Sequence, residues 1–349
     1  MALEAINIVT LILSLLLILI SCEIFTNGIE WLGCRLGLAE SATGSILAAV
    51  GTALPETIVP IIAIFYGSEA EGHEIGEGAI LGAPFMLGTL AMFIGGIAVL
   101  LAYKRGKRTS TRLHMDSVHA LRDLKFFMMA YTLALVAGLW GMQSELNLRG
   151  GNYAIALMLI ISYVIYVRRT LRDETTILES SCPTLHLTRL TGISTAGARG
   201  MALISLQVIA SLIGIIAGAK VFVDGIETVS YSIGVPAMIL AFLVAPIATE
   251  LPEKFNSFIW YWRSKDVLAL GNITGAMVFQ SCIPVTIGLL FTDWTLAPIN
   301  VASIVVALGA SAWIYYCVKY KGYLSYKTML ASGTLYLSYI VLLFVFGHS

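Results

Sequence analysis

The amino-acid sequence predicts an all-α polytopic membrane protein of ten transmembrane helices, arranged as two inverted five-helix repeats. Three observations lead there: an excess of apolar residues, a one-sided distribution of Lys and Arg, and a long internal repeat. Apolar residues make up 58% of the 349-residue chain and charged residues 12%, against roughly 45–50% and about 25% in soluble proteins. So few charges cannot cover that much apolar surface in water, and lipid is the expected solvent. The net charge is zero, which gives no sign of a nucleic-acid partner.

A spanning helix needs about 20 mostly apolar residues. Ten runs qualify: 5–27, 40–66, 76–102, 126–143, 152–168, 201–223, 234–262, 267–291, 298–318 and 326–346. The first lacks a basic flank and a small-residue cleavage site, so it is expected to be a retained helix rather than a signal peptide. The long second and seventh runs each carry a Pro-Glu pair near the middle, Pro55-Glu56 and Pro252-Glu253. The polar stretch 169–199 divides the chain into a first repeat (1–168), a cytoplasmic connecting loop (169–199) and a second repeat (200–349).

Cytoplasmic loops carry the excess of positive charge. With the N-terminus outside, 18 of the 21 Lys and Arg fall in inside loops, seven of them between Lys104 and Lys125. Arg149 and Lys220 fall outside, and Lys254 lies within a span. A miscounted helix would scramble this segregation. The expected location is the plasma membrane, with both termini outside. The basic loop 103–125 reads first as a topology signal and a surface helix, with a regulatory or lipid-headgroup role as the alternative.

The chain resembles itself at an offset of 197 residues. Phe25-Thr26-Asn27-Gly28-Ile29-Glu30 matches Phe222-Val223-Asp224-Gly225-Ile226-Glu227, and Thr52-Ala53-Leu54-Pro55-Glu56 matches Thr249-Glu250-Leu251-Pro252-Glu253. At an offset of 193, Gly78, Gly82 and Ala83 match Gly271, Gly275 and Ala276. Five spans per copy is an odd number, so the second copy enters the membrane from the opposite side. Inverted repeats of this kind are common in secondary transporters, with ion sites at interrupted helices near the midplane.

Glu56 and Glu253 lie near the middle of their spans. An ionised group there is costly and marks a functional site by default; a bound cation is the expected compensation. Proline removes a helical N–H, which predicts free carbonyl ligands around 48–51 and 245–248. Thr52 and Thr249 sit one turn before each Glu. Carboxylates, hydroxyls and carbonyls are the ligands of Ca²⁺ and similar hard divalent cations. Glu250 and Lys254 remain open as ligand, proton carrier or internal ion pair. Gln280 adds a carbonyl oxygen or an interhelical hydrogen bond. Glu77 is expected to be a solvated vestibule charge. The five cysteines form no CxxC pair and read as apolar fillers. No HExxH is present, and no nucleophile or metal-ligand set accompanies the Glu pair, so no enzyme activity and no cofactor are expected.

The segments Gly51-Thr-Ala-Leu-Pro-Glu56 and Ala248-Thr-Glu-Leu-Pro-Glu253 resemble the repeated signature of sodium/calcium exchangers, within the calcium:cation antiporters. The Phe-x-Asx-Gly phrase before each motif is similar too. The resemblance implies antiport of Ca²⁺ or a similar divalent cation against Na⁺ or H⁺ by alternating access. Its metal site would comprise Glu56, Glu253, Thr52, Thr249, Glu250 and Gln280. The family's motif serine is Ala53 in one copy and Glu250 in the other. Its later polar ligands read Ala83 and Leu87, then Ala276 and Gln280. Fewer sodium ligands leave both counter-ions open. A cation channel and a non-transporting relative with an altered ion site are the alternatives.

Overall fold

A computed structural model of the chain describes residues 2–35, 55–68, 71–143, 149–173, 185–192 and 197–346. Every regular element among them is helical. The helices are α1 (Ala2–Arg35), α2 (Pro55–Tyr66), α3 (Gly72–Lys104), α4 (Ser117–Gln143), α5 (Arg149–Asp173) and α6 (His186–Thr191), followed by α7 (Gly197–Ile233), α8 (Ala237–Thr249), α9 (Leu251–Trp262), α10 (Asp266–Phe291), α11 (Pro298–Lys321) and α12 (Tyr326–Phe346). Seven are long and apolar enough to cross a bilayer: α1, α3, α4, α5, α7, α10 and α11.

The side chains turn a soluble protein's pattern outward. Ile12, Leu13 and Ile20 on α1, Leu206, Ile209 and Ile213 on α7, and Leu157 and Ile161 on α5 are exposed. A soluble monomer rarely leaves contiguous apolar surface of that size uncovered, and a bilayer covers it.

Helices run past their apolar cores. The expected fourth span, 126–143, is the end of a helix that starts at Ser117, and the fifth continues to Asp173. Backbone hydrogen bonds extend a helix through the polar interface, where hydropathy no longer marks it. Leu87–Ala91 forms a π-helical turn within α3, and Cys317–Lys321 another at the end of α11.

The expected seventh span is two helices. α8 ends at Thr249 and α9 begins at Leu251, with Glu250 between them at φ −90° and ψ 0°. Pro252 falls in the first turn of α9, where its missing N–H costs nothing. Pro55 opens α2 in the same way.

α1 packs along α7, α3 along α8, and α10 against α4 and α5, while α2 lies against α3, α7, α8 and α10. Small residues set the closest approach. A methyl added at Gly78 would meet the Met238 carbonyl at 2.4 Å, and one at Gly82 the Phe242 carbonyl at 2.3 Å. Without side chains at these two positions, the α3 and α8 backbones come together, as small residues allow in membrane bundles.

Loop contacts fix the direction of each helix. At one end of α3, the Ser68 N–H donates to Glu227 Oε1 at 2.8 Å, joining the α2–α3 link to the end of α7. At the other end, Arg108 holds Asp266, Arg105 lies over the Trp262 ring, and the Leu113 N–H donates to the Leu324 carbonyl. The 33 residues of α3 separate these two ends by about 50 Å at 1.5 Å per residue. Thus α2 finishes at one face of the bundle and α9 at the opposite face. The two helices that follow the Leu-Pro-Glu motifs run in opposite senses.

Candidate functional site

The interruption between α8 and α9 places ionic groups in the interior. Glu250 is wholly buried and Lys254 is 7% exposed. Four residues apart, at the start of α9 and one turn into it, they form an ion pair, with Lys254 Nζ 2.8 Å from Glu250 Oε2. Lys254 also donates to the Pro246 carbonyl at 3.4 Å and approaches Met86 Sδ at 3.6 Å. From α10, the wholly buried Gln280 donates through Nε2 to Glu250 Oε1 at 3.4 Å. Met86 and Gln280 each lie near the midpoint of their helices, so the cluster sits at mid-depth.

The other expected site residues divide. Thr249 is buried, and its hydroxyl donates to the Ala245 carbonyl at 3.1 Å. Glu56 is 4% exposed in the first turn of α2, on the face that carries buried Val59 and Ala63. Ten residues separate it from the end of α2 at Tyr66, about 15 Å along the axis, roughly half the hydrocarbon thickness. Glu253 falls in the first turn of α9 at a similar depth, but its side chain lies outside the described residues. Thr52 and the carbonyls of 48–51 also lie outside them.

Two expectations need correction. The carbonyls of 245–248 are not all free: Ala245 takes the Thr249 hydroxyl, and Pro246 takes both the Glu250 N–H and the Lys254 ammonium. Pro252 removes only the N–H that would reach Ala248. Glu77 is not a solvated vestibule charge but is buried, at 8% exposure. Its α3 neighbours Ile75, Ala79 and Ile80 are buried too, so tertiary packing covers it without a local signal.

Sequence reasoning left Lys254 among several roles, though a signal was available. Glu followed four residues later by Lys is a helical ion-pair spacing. No cluster of three or more His, Cys, Asp or Glu able to hold a metal occurs among the described residues.

An apolar helical bundle with an ion pair held at its centre is an integral membrane protein. The profile of the sodium/calcium exchanger protein family matches residues 6–171 and 203–345, and the chain belongs to that family. An uncharacterised membrane protein of Methanocaldococcus jannaschii, MJ0091, is 21% identical over 310 residues, covering 89% of each chain. The inner membrane protein YrbG of Escherichia coli is 22% identical, covering 83% of this chain and 81% of that one. Among solved structures, the H⁺/Ca²⁺ exchanger CAX superposes with a TM-score of 0.73 at 16% identity, over 97% of this chain and 82% of the other. The sodium-calcium exchanger NCX_Mj, soaked with Na⁺ and Sr²⁺, gives 0.58 at 18% identity, over 97% and 99%. At these identities the two superpositions speak to the fold, which this chain shares.

Proposed function

We propose that the protein is a secondary-active antiporter that exchanges Ca²⁺ or a similar divalent cation for Na⁺ or H⁺ by alternating access. One observation carries the reading: Leu-Pro-Glu motifs open two helices of opposite sense, α2 and α9, and each places a glutamate at mid-depth. Glu56 and Glu253 would carry the divalent ion. Thr52, Thr249 and nearby carbonyls would complete its oxygen shell, while Glu250 and Gln280 would shape coupling. Two mobile oppositely oriented halves give inward-open and outward-open states of similar energy. α1 and α7, packed along each other, would slide against the core to alternate access.

The opposed directions of α2 and α9 support the inverted-repeat reading, as do the loop contacts at the two ends of α3. With the basic loops cytoplasmic, both termini would be outside and the protein would reside in the plasma membrane. Two structural neighbours are an H⁺/Ca²⁺ exchanger and a sodium-calcium exchanger, and motif carboxylates suit the same cargo.

The test is uptake of ⁴⁵Ca²⁺ into proteoliposomes under an outward Na⁺ gradient, an outward H⁺ gradient, or neither. Uptake that needs one gradient supports antiport and names the counter-ion. Equal uptake with and without either gradient removes antiport and leaves a channel. No uptake in any condition points to a non-transporting relative.

A further inference from the structure

We propose that the Glu250 carboxylate, the Pro246 carbonyl and the Gln280 amide form a monovalent-cation subsite that is permanently filled by the tethered ammonium of Lys254. A fixed charge then stands where a dissolved Na⁺ would otherwise ride. The inference rests on the antiport reading above and adds a determinant of its stoichiometry.

The geometry supports each part. Lys254 is the buried one of the nine lysines; the other eight are exposed. Its ammonium pairs with Glu250 Oε2 at 2.8 Å and donates to the Pro246 carbonyl at 3.4 Å and Met86 Sδ at 3.6 Å. A lysine at mid-depth is costly unless its charge is matched. Here one carboxylate balances one ammonium, the charge count of a carboxylate holding one Na⁺. The amide of Gln280 completes the wall. Its Nε2 orients Glu250, and its buried Oε1 has no donor among the described residues. No hydrogen bond joins that carbonyl oxygen to Lys254, and an amide oxygen is of the type that binds Na⁺.

The consequence is mechanistic. A tethered cation travels with the protein in both half-cycles and transfers no net charge. A dissolved cation in the same cage would bind in one half-cycle and leave in the other. Lys254 therefore removes one monovalent ion from the exchange and lowers the charge moved per divalent ion by one.

The experiment uses the full-length protein with Lys254→Met and Lys254→Gln, which keep length and remove charge. The probe is ²²Na⁺ binding to purified protein, with thermal stability in NaCl against choline chloride. The proposal expects about one additional Na⁺ bound per variant protein. It also expects NaCl to raise the variants' Tm, because a ligand bound only by the folded state stabilises it, while leaving the Tm of wild type in place. In proteoliposomes, uptake by the variants should become more sensitive to membrane potential. The double variant Glu250→Gln/Lys254→Met has neither charge and should bind no extra Na⁺. Two results overturn the proposal. One is folded single variants that bind no more Na⁺ than wild type. The other is single variants that unfold in both salts while the double variant folds. A wild type that exchanges divalent ions under neither gradient defeats the antiport reading instead.

Discussion

Arg108 grips Asp266 through two parallel hydrogen bonds of 2.6 Å, Nη1 to Oδ1 and Nη2 to Oδ2, with both side chains buried. The same guanidinium donates to the Tyr261 carbonyl at 2.6 Å, and Asp266 Oδ2 also accepts the His114 N–H at 2.8 Å. The pair locks the basic loop that follows α3 to the tight turn between α9 and α10. It therefore fixes the end of the interrupted helix that carries Glu250 and Lys254.

Removing one partner leaves a buried charge uncompensated, which typically costs about 3–5 kcal/mol. Arg108→Ala should lose stability on that scale, read as a fall in the Tm of the purified protein. Arg108→Lys should recover only part of it, because an ammonium cannot reproduce the planar bidentate grip.

Close approach of α3 and α8 makes a second prediction. A methyl at Gly82 would sit 2.3 Å from the Phe242 carbonyl and 2.8 Å from Pro246 Cγ. Gly82→Ala should therefore destabilise by about 1–3 kcal/mol and reduce exchange, since Pro246 contacts Lys254. Gly309, exposed on α11 with nothing within 4 Å, is the control. There Gly309→Ala should be neutral or stabilising by up to about 1 kcal/mol, from helix propensity alone.

The topology is testable by side-specific labelling. Ser68 and Ser110 are both exposed, at opposite ends of α3. In a cysteine-free background, a membrane-impermeant maleimide should label Ser68→Cys in intact cells. It should label Ser110→Cys only in inverted vesicles. Labelling of both from one side would refute the proposed span count.

Asp116 gives a pH dependence outside the membrane. Partial burial opposes its charge, but hydrogen bonds from the His119 ring at 2.6 Å and from the His119 and Val118 N–H groups outweigh it and hold its carboxyl below the usual range. A depressed carboxylate stabilises fully above its unfolded pKa of about 3.9 and loses that stabilisation as pH falls through the lower folded value. Asp116→Ala should cost about 1 kcal/mol at neutral pH, as loss of a helix cap does. The difference from wild type should narrow below about pH 4. Tm measured against pH reads both.

Much of this was legible in the chain. Apolar runs locate every long helix among the described residues, because hydropathy and backbone satisfaction both demand helices in lipid. The Leu-Pro-Glu motifs pointed to an interruption of the seventh span, though not to its position at Glu250. A surface helix within 103–125 was legible, but not that Ser117–Lys125 is continuous with the fourth span in one helix. Nor was the burial of Glu77, or the Arg108–Asp266 clamp, because each depends on tertiary packing or on a partner more than 150 residues away. The Glu250–Lys254 pair was within reach of local reasoning. What the spacing does not reveal is that Met86, Pro246 and Gln280 close around it.

The measurement closest to the central claim is divalent-cation binding to the purified protein by isothermal titration with Ca²⁺ and Mn²⁺. The account predicts saturable binding to wild type. It also predicts that Glu56→Gln and Glu253→Gln, still folded, each weaken that binding by at least about tenfold, or about 1.4 kcal/mol. Folded variants that bind divalent ions as tightly as wild type would contradict it.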